Sequence, residues 1–210
     1  ELDWRSPNGR FQEMSCRKIL SKLKAEGVIH LKPGGRRYGF EERKGQSSIL
    51  PVDVPEISCG LADLGPVEVV PVSSRYAKDS RIWNGLFDAF HYLGSRPLCG
   101  AQIRYLIRSE DKKVLGGLSF SSATARLKAR DEWIGWSEKA RRNNLHRVVL
   151  NSRFLILPTV KVAHLASRVL SLVAARIGKD WEERYGVEPV LLETFVDGAQ
   201  FQGTCYRAAI

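Results

Sequence analysis

Two carboxylates close to the end of the chain could do acid–base work. Glu193 and Asp197 stand at and just beyond an apolar run from Pro189 to Val196. A carboxylate at the C-terminal end of a buried strand often faces a cleft, and burial raises its pKa toward that of a general base. The same placement also suits a helix cap or an ion pair. Upstream, Asn151, Ser152 and Arg153 interrupt a long apolar strand that runs from His146 to Leu157. Buried polar groups need partners. Either a bulge opens the strand there, or Arg153 pairs with a carboxylate such as Glu193 and orients a ligand. His91, at the end of a helical pattern, is either a base active near neutral pH or a satisfied structural histidine.

A second group of residues suits phosphate. Residues 1–38 hold nine basic and four acidic side chains, and residues 126–153 hold eight and three. Cys16, Ile19, Leu20 and Leu23 repeat as the stripe of a short amphipathic helix. Arg17, Lys18, Lys22 and Lys24 face outward from it. Gly27 falls where a helix end needs positive φ. Residues 28–31 read as a strand, and Pro33-Gly34-Gly35 turns into Arg36 and Arg37. A helix followed by a basic-tipped hairpin has the shape of a winged helix, whose cations displace counterions from DNA. In the second region Trp133 and Trp136 lie among Arg141, Arg142 and other cations. Such rings stack on bases, or else anchor a helix in the core.

The whole chain agrees with a polyanionic partner. It has 210 residues, 43% hydrophobic and 27% charged, with a net charge of +10 and a pI near 9.7. This mix excludes wholesale disorder. No apolar run reaches the length of a membrane span, and the N-terminus lacks a secretory pattern. Four scattered cysteines and four scattered histidines give no zinc spacing, so reduced thiols in the cytoplasm and no metal are expected. The chain opens mid-pattern and stops after a helical stretch, so both ends are expected to be incomplete.

The elements that must position these residues follow from periodicity. Residues 1–39 form the winged-helix-like segment, 40–65 a linker punctuated by Gly and Pro, and 66–210 one larger domain. In that domain 67–72 is a strand and 76–93 a helix, followed by a hairpin of 101–107 and 114–120. A helix over 131–143, the long strand 146–157, a long helix over 162–185, a strand at 189–196 and a last helix over 198–208 complete it. The fold class is α+β, with helices on both faces of the sheet.

Several segments, in order, carry a family resemblance. They include Phe90-His91-Tyr92-Leu93-Gly94, Leu115-Gly116-Gly117-Leu118-Ser119-Phe120, Arg130-Asp131-Glu132-Trp133-Ile134-Gly135-Trp136 and Asn151-Ser152-Arg153-Phe154. Leu191-Leu192-Glu193-Thr194-Phe195 and Gly203-Thr204-Cys205-Tyr206-Arg207 close the series. They resemble the DruA family, the protein A component of the bacterial Druantia anti-phage system, whose domain also occurs in transposase-associated proteins. The resemblance implies work on DNA beside other defence or transposition proteins. The order of hairpin, long strand, long helix, strand and Tyr-bearing helix is also similar to the core of GNAT acyltransferases. That similarity implies a mixed sheet splayed at the long strand, Tyr206 as general acid, and acetyl-CoA held ahead of the long helix. Lys161, His164 and Ser167 stand in the matching loop. The loop has no glycine, unlike the GNAT phosphate cradle. A DNA-binding or DNA-processing component is therefore the first reading, and an acyl-CoA-dependent transferase acting on a nucleobase or other polar acceptor the second.

Overall fold

A computed structural model describes residues 19–20, 22–24, 26–30, 53–73, 77–96, 98, 100–198 and 201–209. The chain divides into two units, Glu1–Gln46 and Ser47–Ile210. In the first, residues 19–20 and 22–24 are helical, and Gly27 takes a left-handed φ of 72° just after them. The helix end expected there is thus present. Residues 28–30 are not in a strand, where the sequence pattern expects one. Arg17, Lys18, Arg36 and Arg37 lie outside the described residues.

The second unit is a mixed α+β domain. Its elements are β1 (Ile57–Cys59), α1 (Leu61–Leu64), β2 (Val67–Pro71), α2 (Lys78–Phe90), β3 (Gln102–Ser109), β4 (Val114–Ser122), α3 (Lys128–Ile134), α4 (Glu138–Asn144), β5 (Val148–Ile156), β6 (Val160–Val162), α5 (Leu165–Tyr185), β7 (Leu191–Thr194) and α6 (Thr204–Arg207). Five strands form one sheet in the order β2-β3-β4-β5-β7. The first four pair antiparallel, and β7 joins β5 in parallel. Within the stretch read as linker, β1 pairs parallel with β6 in a separate two-stranded sheet.

Alternation along β3 shows how the layers are arranged. Arg104 donates to Asn84 and Ser80 on α2, whereas the next residue, Tyr105, donates its hydroxyl to Asp180 on α5 at 2.7 Å. Successive strand residues point to opposite faces, so α2 covers one face and α5 the other. Each helix contributes an apolar stripe: Ile82, Trp83, Leu86 and Phe87 from α2, and Leu165, Val169, Val173, Ile177 and Trp181 from α5 are buried. The α5 stripe is the one that the 3.6-residue period of the sequence predicts. β4 lies between β3 and β5 and is buried from Val114 to Ser121. Trp83 and Phe87 stack at 3.9 Å directly over Gly117, and the Trp83 indole donates to the Leu118 carbonyl. Any side chain at Gly117 would meet those rings.

The single helix expected over 131–143 is two, α3 and α4. Gly135 takes φ 71° and ends α3, and Ser137 then caps α4 by accepting from the Ala140 amide at 3.1 Å. This places Trp133 and Trp136 on different sides of the break. Among the described residues no helix is long and apolar enough to cross a membrane.

Candidate functional site

The polar triplet in β5 is a bulge. Ser119 of β4 faces Arg153 and Phe120 faces Asn151, so Ser152 is the extra residue. The bulge is held by its own side chains. Asn151 donates its amide to the Ser119 carbonyl at 3.0 Å and to the Arg153 carbonyl at 3.1 Å, and Ser152 donates its hydroxyl to the Ser119 carbonyl at 3.2 Å. Of the two alternatives the sequence leaves open, the bulge is the one realised. Arg153 does not pair with Glu193.

The bulge coincides with a parting of strands. β5 and β7 pair from Val148–Leu191 to Asn151–Thr194, and their register ends there while β5 runs on to Ile156. A cleft of about 590 Å³ opens between the free half of β5 and the chain after β7. Phe154, Pro158 and Ala166 line one wall, Val196, Asp197 and Phe201 the other. The volume is that of a small-molecule site. Tyr206, on the turn of helix that closes the domain, donates its hydroxyl to Asn151 Oδ1 at 2.6 Å. Its ring meets Phe154 edge-on at 6.3 Å. Burial pushes the phenol pKa above its ordinary value, so the group is protonated at neutral pH.

His91 borders the same cleft. Burial, then the nearby Arg153 guanidinium, lowers its pKa to about 4. Its Nδ1 accepts the Leu93 amide at 3.2 Å, so the neutral ring carries its proton on Nε2. Burial also pulls the Arg153 guanidinium below its usual range.

The predicted site residues fall into three groups. Tyr206, Arg153 and Asp197 come together at the cleft. Glu193 does not line it. Its side chain, 9% exposed, is bonded by Arg130 at 3.3 Å. Arg130 also donates to Asp131 and to the Thr124 carbonyl, and lies over the Trp136 ring. The ion-pair alternative therefore holds for Glu193. Lys161 and His164 are exposed. The stretch before α5 is shaped by β6 pairing with β1 and by a left-handed His164, and Ser167 donates its hydroxyl to the His164 carbonyl at 3.0 Å.

Of the cations and rings assigned to nucleic acid, Arg141 is buried, bonded to Glu138 at 2.7 Å and to the Ala125 carbonyl. Trp136 is partly buried, and its indole donates to Asp131 at 3.0 Å. Both belong to the interior network around Arg130, because the break at Gly135 turns Trp136 inward and leaves Trp133 77% exposed. Arg142 is exposed but shares Glu138 at 3.0 Å, and Lys22 lies 3.8 Å from Glu26. Asn151, which links the bulge to Tyr206, is the site residue to which the sequence reading gives no role of its own. Its signal was the polar triplet.

The DruA family model, described as Druantia protein DruA, matches residues 56–210. The chain belongs to the DruA family. It is a Druantia anti-phage system protein. No curated protein and no solved structure matches the chain.

Proposed function

We propose that this DruA protein is a DNA-processing component whose cleft transfers a group from a donor bound between β5 and β7. The observation that carries the reading is the Tyr206 hydroxyl, 2.6 Å from Asn151 Oδ1, at the point where the strands part. A buried, protonated phenol there can supply a proton to a leaving group. GNAT acyltransferases, which the element order resembles, also place a tyrosine after a splayed parallel pair, and an acyl-CoA thioester is the donor this reading takes. Lys161, His164 and Ser167 would then meet its pyrophosphate at the start of α5.

In the transfer the acceptor nucleophile gives its proton to Asp197 and attacks the thioester carbonyl. The C–S bond breaks, and the departing thiolate takes the Tyr206 proton. Arg153 orients the acceptor. Glu193, held by Arg130, keeps the end of β7 in place.

The net charge of +10 favours DNA as a partner. The cations this reading assigns to it are Arg126, Lys128 and Arg142, exposed beside Glu138 and Glu132, and Arg17, Lys18, Lys22, Arg36 and Arg37 of the first unit. Other components of the defence system would receive or deliver that DNA.

Titration with acetyl-CoA, read as a rise in melting temperature, tests the donor cleft. A rise that survives in Tyr206→Phe, with transfer to DNA lost only in the variant, is the expected result. No rise at millimolar acetyl-CoA removes the donor. DNA affinity across a salt series tests the partner. A steep decline is expected, and weak salt-independent binding would remove DNA.

A further inference from the structure

A second cavity of about 580 Å³ adjoins the cleft and shares Tyr92, Asn151, Ser152, Arg153 and Phe195 with it. Its other wall is the end of β4 and the chain that follows it, from Ser121 to Ala125, with Gly100 beside it. These residues are small, so the floor is open, and Ser121, Ser122 and Thr124 supply hydroxyls.

Arg153 is the unusual member. Its Nε donates to the Gly94 carbonyl at 3.4 Å and one terminal nitrogen to the Ser152 carbonyl at 2.6 Å. Both acceptors are neutral. Among the described residues no carboxylate lies within ion-pair distance of it, whereas Arg130 on α3 contacts both Asp131 and Glu193. A partly buried guanidinium without a counter-charge is a site for an anion, and its fork matches phosphate. The rings at the mouth narrow the choice of anion. Tyr92 and Phe195 are 66% and 54% exposed. Tyr92 is backed by His91 at 4.8 Å, which in turn lies 5.3 Å from Phe87. A ring fixed on one side and open on the other is a stacking platform, and a base on such a platform contributes about 1–3 kcal/mol.

We infer that this second cavity binds a nucleotide unit, its phosphate on Arg153 and its base against Tyr92 and Phe195. The unit is a free nucleotide or one residue of a single strand, because both present the same base and phosphate. The inference names the acceptor of the proposed transfer and rests on that reading for its chemistry, but the binding is measured with no donor present.

The test uses four probes on the full chain: dAMP, deoxyadenosine, inorganic phosphate and a 12-nucleotide single-stranded DNA, each followed by calorimetry. The wild type should bind dAMP at least tenfold more tightly than deoxyadenosine or phosphate alone. Arg153→Gln should lose that tenfold and leave deoxyadenosine unchanged, with Arg153→Lys intermediate as a variant that keeps the charge. Phe195→Ala should weaken dAMP and deoxyadenosine alike. A 12-mer that binds more tightly than dAMP, and depends on Arg153, assigns the unit to a strand; a 12-mer that fails to compete assigns it to the free nucleotide. Equal affinity for dAMP and deoxyadenosine, or no effect of either Arg153 variant in a folded protein, overturns the inference. Arg153-dependent dAMP binding with no transfer from acetyl-CoA would leave the inference standing and remove the transfer reading.

Discussion

The two sides of β5 are built by opposite rules. On the β4 side the seam is closed: Gly116 and Gly117 bring backbones and rings together, and every residue of β4 but the last is buried. On the β7 side four pairs form and then the strands part. The closed seam uses apolar close packing, which tolerates no added volume. The bulge lies in the closed seam, opposite Ser119, and its polar side chains bond the Ser119 and Arg153 carbonyls and the Tyr206 hydroxyl, which lets β5 turn away from β7 without leaving those groups unpaired. One strand thus carries a closed seam on one side and the proposed site on the other.

The largest expected effect lies on the closed side. A Cβ at Gly116 would overlap the Leu155 carbonyl oxygen, which is backbone and cannot rotate away. Gly116→Ala should therefore cost about 4 kcal/mol or more, read by urea unfolding. A loss below about 1 kcal/mol would mean that the seam is looser than described. Next is the Arg130 network at the start of the open side. Arg130→Ala leaves the Glu193 carboxylate buried beside no cation, and should cost about 3 kcal/mol. An unchanged midpoint would contradict the Arg130–Glu193 pairing.

Tyr206→Phe should sharpen the contrast. It deletes one hydrogen bond, to Asn151, and should cost about 1 kcal/mol. Any transfer activity should fall far more than that stability loss explains. A smaller effect still concerns His91, whose folded pKa of about 4 lies below its ordinary 6.5. Between those values the unfolded chain binds more protons than the folded one, so stability should decline as pH falls from about 6.5 to about 4 and then level off for this group. His91→Gln should flatten that part of the profile. An identical slope in the variant would assign the decline to other groups.

Much of the scaffold was legible because it is periodic. The α5 stripe, the hairpin of β3 and β4 and the apolar reach of β5 follow from spacing alone, and the polar triplet offered the bulge as one of two alternatives. What was not legible depended on side-chain partners across the fold. Arg130 and Arg153 look alike in sequence, yet among the described residues Arg130 contacts Asp131 and Glu193 and Arg153 contacts no carboxylate, and the position of β7 decides which of them meets Glu193. Trp133 and Trp136 were equally ambiguous until the left-handed Gly135 turned one inward. β1 was hidden in a Gly- and Pro-rich stretch, because three residues paired to an equally short β6 leave no pattern.

The central claim is that function resides where β5 parts from β7, and protection from phage in cells carrying the complete defence system measures it directly. Ala166 lines the cleft, so Ala166→Phe fills it, while Val190→Ser alters an exposed side chain ahead of β7, outside both cavities. At equal soluble expression, Ala166→Phe should abolish protection and Val190→Ser should leave it intact. Full protection by Ala166→Phe would contradict the account.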